Sequence, residues 1–365
     1  MSASKLMDKV KKNSTVDDTS SMSQSRFFAN TEPTQTRIPI INLALSGKFN
    51  GGFGSGMTTI AGESKSFKTM LGLMMVKAYM EKYPDAICLF YDTEFGTPPN
   101  YLNSQGIDLD RVLHTPVMHI EQMKFDMVRQ LNGLTKEDKV IVFIDSVGNV
   151  ASKKEVEDAE DMKSVADMTR AKALKSLFRI TTPKFKSLDM PCVAIQHTYK
   201  SQSGLYPVDV VSGGSGGVYA ADAIFIITKS KEKDGKEVTG FTFKINIEKS
   251  RFVIEKSKFP FTVMFDGGIN KWTGLFDMAR EHGYIRSPKN GWYCRVMSDS
   301  DGVEIEDSKN WRRAETDCAE FWKPIFEQTD FAAAMEKKFS QGSGKLLQED
   351  EESESSTTES DTDED

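Results

Sequence analysis

Gly62-Glu63-Ser64-Lys65-Ser66-Phe67-Lys68-Thr69 is the stretch on which the reading of this chain turns. It follows a short apolar run at residues 57–61. It precedes residues 68–82, where Leu71, Met74, Met75, Ala78 and Tyr79 recur at helical spacing. Strand, tight loop and helix in that order form the phosphate cradle written G-x-x-x-x-G-K-[ST]. Its chemistry needs backbone amides facing phosphates, a helix N-terminus behind them, a lysine, and a hydroxyl for Mg2+. Gly62, Lys68 and Thr69 supply the loop's start, the lysine and the hydroxyl, with Ser64, Lys65 and Ser66 between them. Phe67 stands where the pattern has its second glycine. By itself, the fragment is as compatible with a chance glycine upstream of Lys-Thr as with a nucleotide site.

Two later segments shift that balance. Val140-Ile141-Val142-Phe143-Ile144-Asp145-Ser146 is an apolar strand ending in an acid, whose carboxylate is expected to hold Mg2+ across from Thr69. Leu89-Phe90-Tyr91-Asp92-Thr93-Glu94 places Glu94 just beyond another strand, where it can activate an attacking water. Asp92 either orients Glu94 or merely ends the strand. Patterns of this kind in the right order, on the right elements, imply ATP and Mg2+ as cofactors.

Outward from the loop, residues 36–268 alternate apolar strands with amphipathic helices. Strands are expected at 86–91, 140–144, 192–195 and 223–227, and helices at 120–131 and 165–178. Uninterrupted apolar strands separated by helices predict an α/β class with a mostly parallel central sheet flanked by helices. The segments 241–248 and 259–265 read as an antiparallel extension at one edge. Composition divides the chain into an N-terminal segment (1–30), the core (31–268), a small aromatic-rich C-terminal α/β domain (269–343) and a tail (344–365).

The formal charge of −7 conceals an asymmetry. Residues 349–365 hold 10 acids and no bases, leaving 44 acids against 47 bases elsewhere in the 365 residues. A mildly basic body with an acidic tail suits a polyanion-binding protein whose tail competes for the same surface, although such tails are commonly just solvated. The four cysteines lack metal-ligand spacing, and no apolar run approaches membrane-spanning length. The N-terminus has no apolar signal region, so a cytoplasmic protein with no membrane partner is expected.

The motifs resemble those of the RecA family of recombinases, in particular the UvsX-type recombinases of tailed bacteriophages. The resemblance runs from about Arg26 to about Phe339. It rests on Arg26-Phe27-Phe28, Gly51-Gly52-Phe53-Gly54, the loop with its Phe67, and Tyr91-Asp92-Thr93-Glu94-Phe95-Gly96. Phe143-Ile144-Asp145-Ser146, Gln196-His197-Thr198, Gly213-Gly214-Ser215-Gly216-Gly217, Glu248-Lys249-Ser250-Arg251 and Phe265-Asp266-Gly267-Gly268 extend it. Phe67, a defect in the generic loop, is similar to the phage form.

The resemblance implies a RecA-like P-loop ATPase core and a homo-oligomeric helical filament on single-stranded DNA that pairs it with double-stranded DNA. It implies ATP between neighbouring subunits, with Glu94 catalytic, Tyr101 near the adenine, and Lys249 and Arg251 reaching the phosphates of the adjacent subunit. Taken alone, those two cations read as a solvated edge strand. It implies His197 as a sensor between phosphate and DNA, where bacterial members have Gln. It implies two DNA loops, one at about 151–167 with Lys153 and Lys154. The other, at about 199–217, has Tyr199, Lys200, Tyr206, Gly213 and Gly214. Residues 26–30 are expected to dock on the adjacent subunit. Lys309, Arg312 and Arg313 beside Trp311 are expected to guide duplex DNA. A phage single-strand-binding protein and a loading mediator are the implied partners. A RecA-fold hexameric helicase and a nonenzymatic nucleotide-binding module remain the alternatives.

Overall fold

The computed structural model describes residues 2–25, 32–161, 169–201, 207–212, 215–235, 237–298 and 303–342. Ten strands build the main sheet: β1 (Gly56–Gly62), β2 (Ile87–Asp92), β3 (Val112–Pro116), β4 (Val140–Asp145), β5 (Pro191–Ser201), β6 (Val208–Val211), β7 (Ala223–Asp234), β8 (Glu237–Lys249), β9 (Lys258–Met264) and β10 (Gly268–Ile269). Their order is β10-β9-β8-β7-β1-β5-β4-β2-β3, with β6 paired to the outer part of β5. From β7 to β3 every pairing is parallel, whereas β7, β8, β9 and β10 run antiparallel. The sheet is therefore the expected parallel one with an antiparallel edge.

The apolar strands are sandwiched, which is why they carry no polar alternation. One face is covered by α2 (Pro39–Ser46) and α3 (Lys68–Lys82), the other by α5 (Ile120–Asn132) and α7 (Thr169–Ser187). Gly72 sets the closeness of α3. A Cβ there would lie 2.6 Å from the Phe143 ring, so only glycine lets the helix settle on β4.

The remaining helices are α1 (Ala3–Lys12), α4 (Pro99–Ser104), α6 (Lys153–Glu160), α8 (Ser215–Ala220), α9 (Leu275–Glu281), α10 (Ala319–Gln328) and α11 (Phe331–Phe339). The C-terminal region adds a three-stranded antiparallel sheet, β11 (Ile285–Lys289), β12 (Trp292–Ser298) and β13 (Glu304–Glu306). Its apolar interior is continuous with that of the large sheet, since Phe321, Trp322 and Phe331 join the cluster containing Ile40 and Phe49. The Phe49 ring lies 5.1 Å from Phe326 and 5.5 Å from Phe331.

Several elements differ from expectation, and β7, foreseen at 223–227, runs on to Asp234. The strand foreseen at 192–195 continues to Ser201, because β6 folds back to pair with it beyond the sheet (Thr198 opposite Val211, Ser201 opposite Val208). Tyr199 and Lys200 are thus strand residues, and α8 occupies part of what composition presents as a glycine loop. The edge strand β3 was not foreseen, because its half-exposed residues Val112–Pro116 lack the apolar run of a buried strand.

Candidate nucleotide site

β1 leads into the loop and α3 leaves it. A Cβ on Gly62 would lie 2.7 Å from both the Ile227 carbonyl and the Ser66 hydroxyl, so the loop's first position has room only for glycine. Lys65 and Phe67 both take left-handed backbone, with φ of 59° and 68°. Such residues curl successive amides into an anion-binding concavity. This also explains Phe67. The position needs the conformation that glycine adopts freely, and a side chain there costs about 1–2 kcal/mol. The Phe67 ring lies 5.1 Å from Phe243 and 5.9 Å from Phe261, on β8 and β9. Aromatic pairs contribute about 0.5–1.5 kcal/mol each, enough to offset the backbone cost. The aromatic clamps the loop to the antiparallel edge in place of a free turn.

Lys68 is buried, and its Nζ donates to the Glu63 carbonyl at 2.6 Å and the Ser66 hydroxyl at 3.5 Å. Burial lowers its pKa, against the opposing pull of Glu94 and Asp145. Thr69 Oγ1 donates to Asp145 Oδ2 at 2.9 Å. Burial pushes Asp145 up to about 6, with Glu94 and Asp92 adding to the rise and Thr69 and Lys68 opposing it. Asp92 and Asp145 stand side by side in the β2–β4 ladder. Tyr101 sits on α4, half-exposed, its hydroxyl pKa raised by burial and by the Asp145 charge.

Glu94 Oε1 accepts from the Ser146 hydroxyl, from Asn149 Nδ2 at 3.0 Å and from His197 Nε2 at 2.7 Å. Burial works to raise the Glu94 pKa. The Ser146 and His197 hydrogen bonds, with the charges of His197 and Lys68, outweigh it and hold the carboxyl below its ordinary value. The β1–β5 register brings His197 here, since Gly62 and His197 are directly paired. Asn149 carried no sequence signal, as it lies in an irregular stretch after β4. Ser146 was visible only as the residue after the strand-end acid.

Lys249 and Arg251 lie elsewhere. Lys249 closes β8 and Arg251 falls two residues past the strand's end. Lys249 Nζ donates to the carbonyls of Val218 (2.9 Å) and Tyr219 (3.3 Å), and Arg251 pairs with Asp222 at 2.6 Å. Lys249 is level with Ile224 of β7, and Ile224 with Thr59 of β1, three residues before Gly62. At the strand rise that level is about 10 Å along the strands from Gly62, toward the end of the sheet opposite the loop.

Lys153 and Lys154 open α6, which is capped by Ser152 and Glu155 in a capping box. Both lysines are exposed, and Lys153 pairs with Glu157 at 3.3 Å. Tyr199 is exposed. Lys200 reaches Asp209 at 2.7 Å across the β5–β6 pair and Glu63 of the nucleotide loop at 3.4 Å. Tyr206, Gly213, Gly214, the segment 26–30 and the acidic tail lie outside the described residues. In the C-terminal cluster, Lys309 stacks on Trp311 (3.7 Å) and pairs with Glu320, and Arg312 stacks on Trp292 (4.0 Å). Arg313 pairs with Asp317.

A loop of this kind between strand and helix, faced by strand-end acids of a parallel sheet with an antiparallel edge, defines a P-loop protein of RecA-like architecture. Residues 28–270 match the family model of the RecA N-terminal domain. Residues 272–335 match that of the C-terminal domain of the bacteriophage T4 recombination and repair protein. The chain belongs to the RecA family. It is 50% identical over 340 residues to the recombination and repair protein of Enterobacteria phage T4, covering 93% of this chain and 87% of that protein. Identity to the RecA proteins of Frankia alni and Streptomyces rimosus is 25% and 26%. Those matches cover 85% and 79% of this chain, and 89% and 75% of theirs. No helix among the described residues is long and apolar enough to cross a membrane.

Proposed function

We propose that this chain is a DNA-dependent ATPase that forms helical filaments on single-stranded DNA and catalyses homologous pairing and strand exchange with double-stranded DNA. It would serve recombination, repair and recombination-dependent replication in the cytoplasm of a phage host, alongside a phage single-strand-binding protein and a loading mediator. The observation that carries the reading is the contact of Glu94 with His197, on the strand that continues into the proposed DNA hairpin. It gives hydrolysis and DNA binding a shared element.

The residues fit a Mg2+-nucleoside triphosphate. Lys68 is a buried cation with only a carbonyl and a hydroxyl as hydrogen-bond acceptors, which suits a polyanion. Among the described residues no three His, Cys, Asp or Glu side chains group as a metal cage. A cation held by Thr69 and Asp145 would therefore depend on phosphate oxygens for most of its ligands, as Mg2+ commonly does. Bound there, it would supply charge neutralisation for phosphoryl transfer. Gly62 and residues 64–69 would cradle the phosphates, Tyr101 the base, and Glu94 would orient the attacking water. Lys249 and Arg251, being remote from their own loop, suit completion of a neighbour's site. Lys153, Lys154, Tyr199, Lys200, Tyr206, Gly213 and Gly214 are the proposed DNA contacts. Residues 1–30 would join subunits, 31–268 hydrolyse ATP, 269–343 receive duplex DNA, and 344–365 compete with it.

ATP turnover with and without single-stranded DNA, for wild type and Lys68→Ala, tests the reading. DNA should stimulate wild-type turnover strongly and leave Lys68→Ala inactive. Equal inactivity of both proteins under every DNA condition would refute the enzyme. ATP-dependent hexamer rings with unwinding and no strand pairing would replace the recombinase with a helicase.

A further inference from the structure

Behind Glu94 stands a second, buried carboxylate that the proposed chemistry does not use. Asp92 closes β2 at 3% exposure. Its Oδ1 accepts the backbone N–H of Glu94 at 3.1 Å and of Phe95 at 2.8 Å, so the carboxylate anchors the turn that carries Glu94. The turn is tight, with Phe95 in left-handed backbone at φ 54°. Asp92 Oδ2 lies 3.1 Å from His114 Nε2. His114 sits on β3, opposite Phe90 in the β2–β3 ladder, with its ring 5.3 Å from the Phe90 ring.

A buried carboxylate is stable only when both oxygens are paired. Here one oxygen is spent on the Glu94 turn and the other on the imidazole. Asp92 also neighbours Asp145 in the ladder and adds its charge to that site, so the imidazole side is the one from which a donor reaches it. With Nε2–H donated to Oδ2, the Asp92 carboxylate is held from both sides, which opposes the rotation that would disturb its two bonds to the Glu94 turn. Shifts of about 1 Å in a reacting group cost on the order of 100-fold in rate.

We infer that His114 is a positioning residue for nucleotide hydrolysis, acting through Asp92 to fix the turn that carries Glu94. The inference rests on the reading of Glu94 as the residue that orients the attacking water.

The test compares His114→Ala and His114→Gln in the full chain, with ATP, Mg2+ and single-stranded DNA. The glutamine amide can replace the Nε2–H donor and alanine cannot. His114→Ala should lower kcat about 10-fold with KM for ATP little changed, and His114→Gln should recover most of the loss. Single-stranded DNA binding with a non-hydrolysable ATP analogue, and the thermal midpoint, should match wild type in both. In a Glu94→Gln background His114→Ala should have no further effect, because the turn then carries nothing to position. Wild-type kcat in His114→Ala would overturn the inference, as would a rise in KM without a fall in kcat. A parallel loss of analogue-dependent DNA binding and thermal midpoint in both variants would also overturn it, by reducing His114 to a structural part. Full turnover in Glu94→Gln would remove the underlying reading instead, and the inference with it.

Discussion

Glu94 and His197 are 103 residues apart, yet His197 Nε2 lies 2.7 Å from Glu94 Oε1. The contact follows from the order of the strands: β5 lies beside β1, and the pairing of Gly62 with His197 brings the end of β5 to the mouth of the nucleotide loop. Beyond His197 the same strand runs out to Tyr199 and Lys200. The β5–β6 hairpin and the contact with Glu94 are thus carried on one strand.

The carboxylates at this mouth make stability depend on pH. Asp145 is raised from 3.8 to about 6, so the folded state holds its proton more tightly than the unfolded chain does. The folded state's advantage is complete below about pH 4 and is lost as pH rises through about 6, where the buried charge must form. In chelator and without nucleotide, Asp145→Asn should be more stable than wild type at pH 8, by about 1–3 kcal/mol. The gain should vanish near pH 4. Urea unfolding at the two pH values measures it, and equal effects at both would show that Asp145 ionises freely.

Phe67 predicts an inverted ranking of two small substitutions. Phe67→Ala loses the contacts with Phe243 and Phe261 and keeps a side chain in left-handed backbone. Phe67→Gly loses the same contacts and relieves the backbone. Glycine should be the milder substitution by about 1 kcal/mol, the reverse of the usual order in regular structure. Denaturant midpoints for the two variants decide it. Alanine as the milder change would mean that φ at this position relaxes when the ring is removed.

Gly72 offers a complementary case within α3. Alanine favours a helix by about 1 kcal/mol over glycine, and on propensity alone Gly72→Ala would stabilise. The new Cβ would meet the Phe143 ring at 2.6 Å, with Ile195 at 3.2 Å. Overpacking of that kind costs about 1–3 kcal/mol, so a net loss of up to about 2 kcal/mol is expected. A raised melting temperature would show that α3 can lift from β4 without penalty.

These cases mark what the sequence alone makes legible. Strand, loop and helix around Gly62–Thr69 declare themselves through apolar runs and a fixed spacing, as does Asp145 at the end of β4. The antiparallel edge is equally visible, because residues 241–248 and 259–265 are too close for a crossover. The role of Phe67 is not visible, since its partners Phe243 and Phe261 lie more than 170 residues away and only the folded sheet brings them to the loop. Asn149 and His114 escape for a related reason: each reaches its partners only through tertiary contacts made from an irregular or half-exposed stretch. The extension of β5 is hidden because Thr198–Ser201 pair with β6 outside the apolar sheet, where polar residues are allowed.

Lys249 and Arg251 give the last prediction, because their distance from their own loop makes a mixing experiment decisive. Lys249 is bonded to the carbonyls of Val218 and Tyr219, Arg251 to Asp222, and Lys249 lies level with the start of β7, toward the end of the strands opposite Gly62. If they complete the site of an adjacent subunit, Glu94→Gln and Arg251→Ala impair the two sides of one interface. Each variant alone should be nearly inactive with single-stranded DNA. In an equal mixture, about a quarter of head-to-tail interfaces would join an intact Glu94 side to an intact Arg251 side. Turnover should then recover to about that fraction of wild type, and the recovery should require DNA, because the interfaces form on it. No recovery at any ratio, with both variants still binding DNA, would mean that the two residues act within one subunit, against the sheet geometry that separates them.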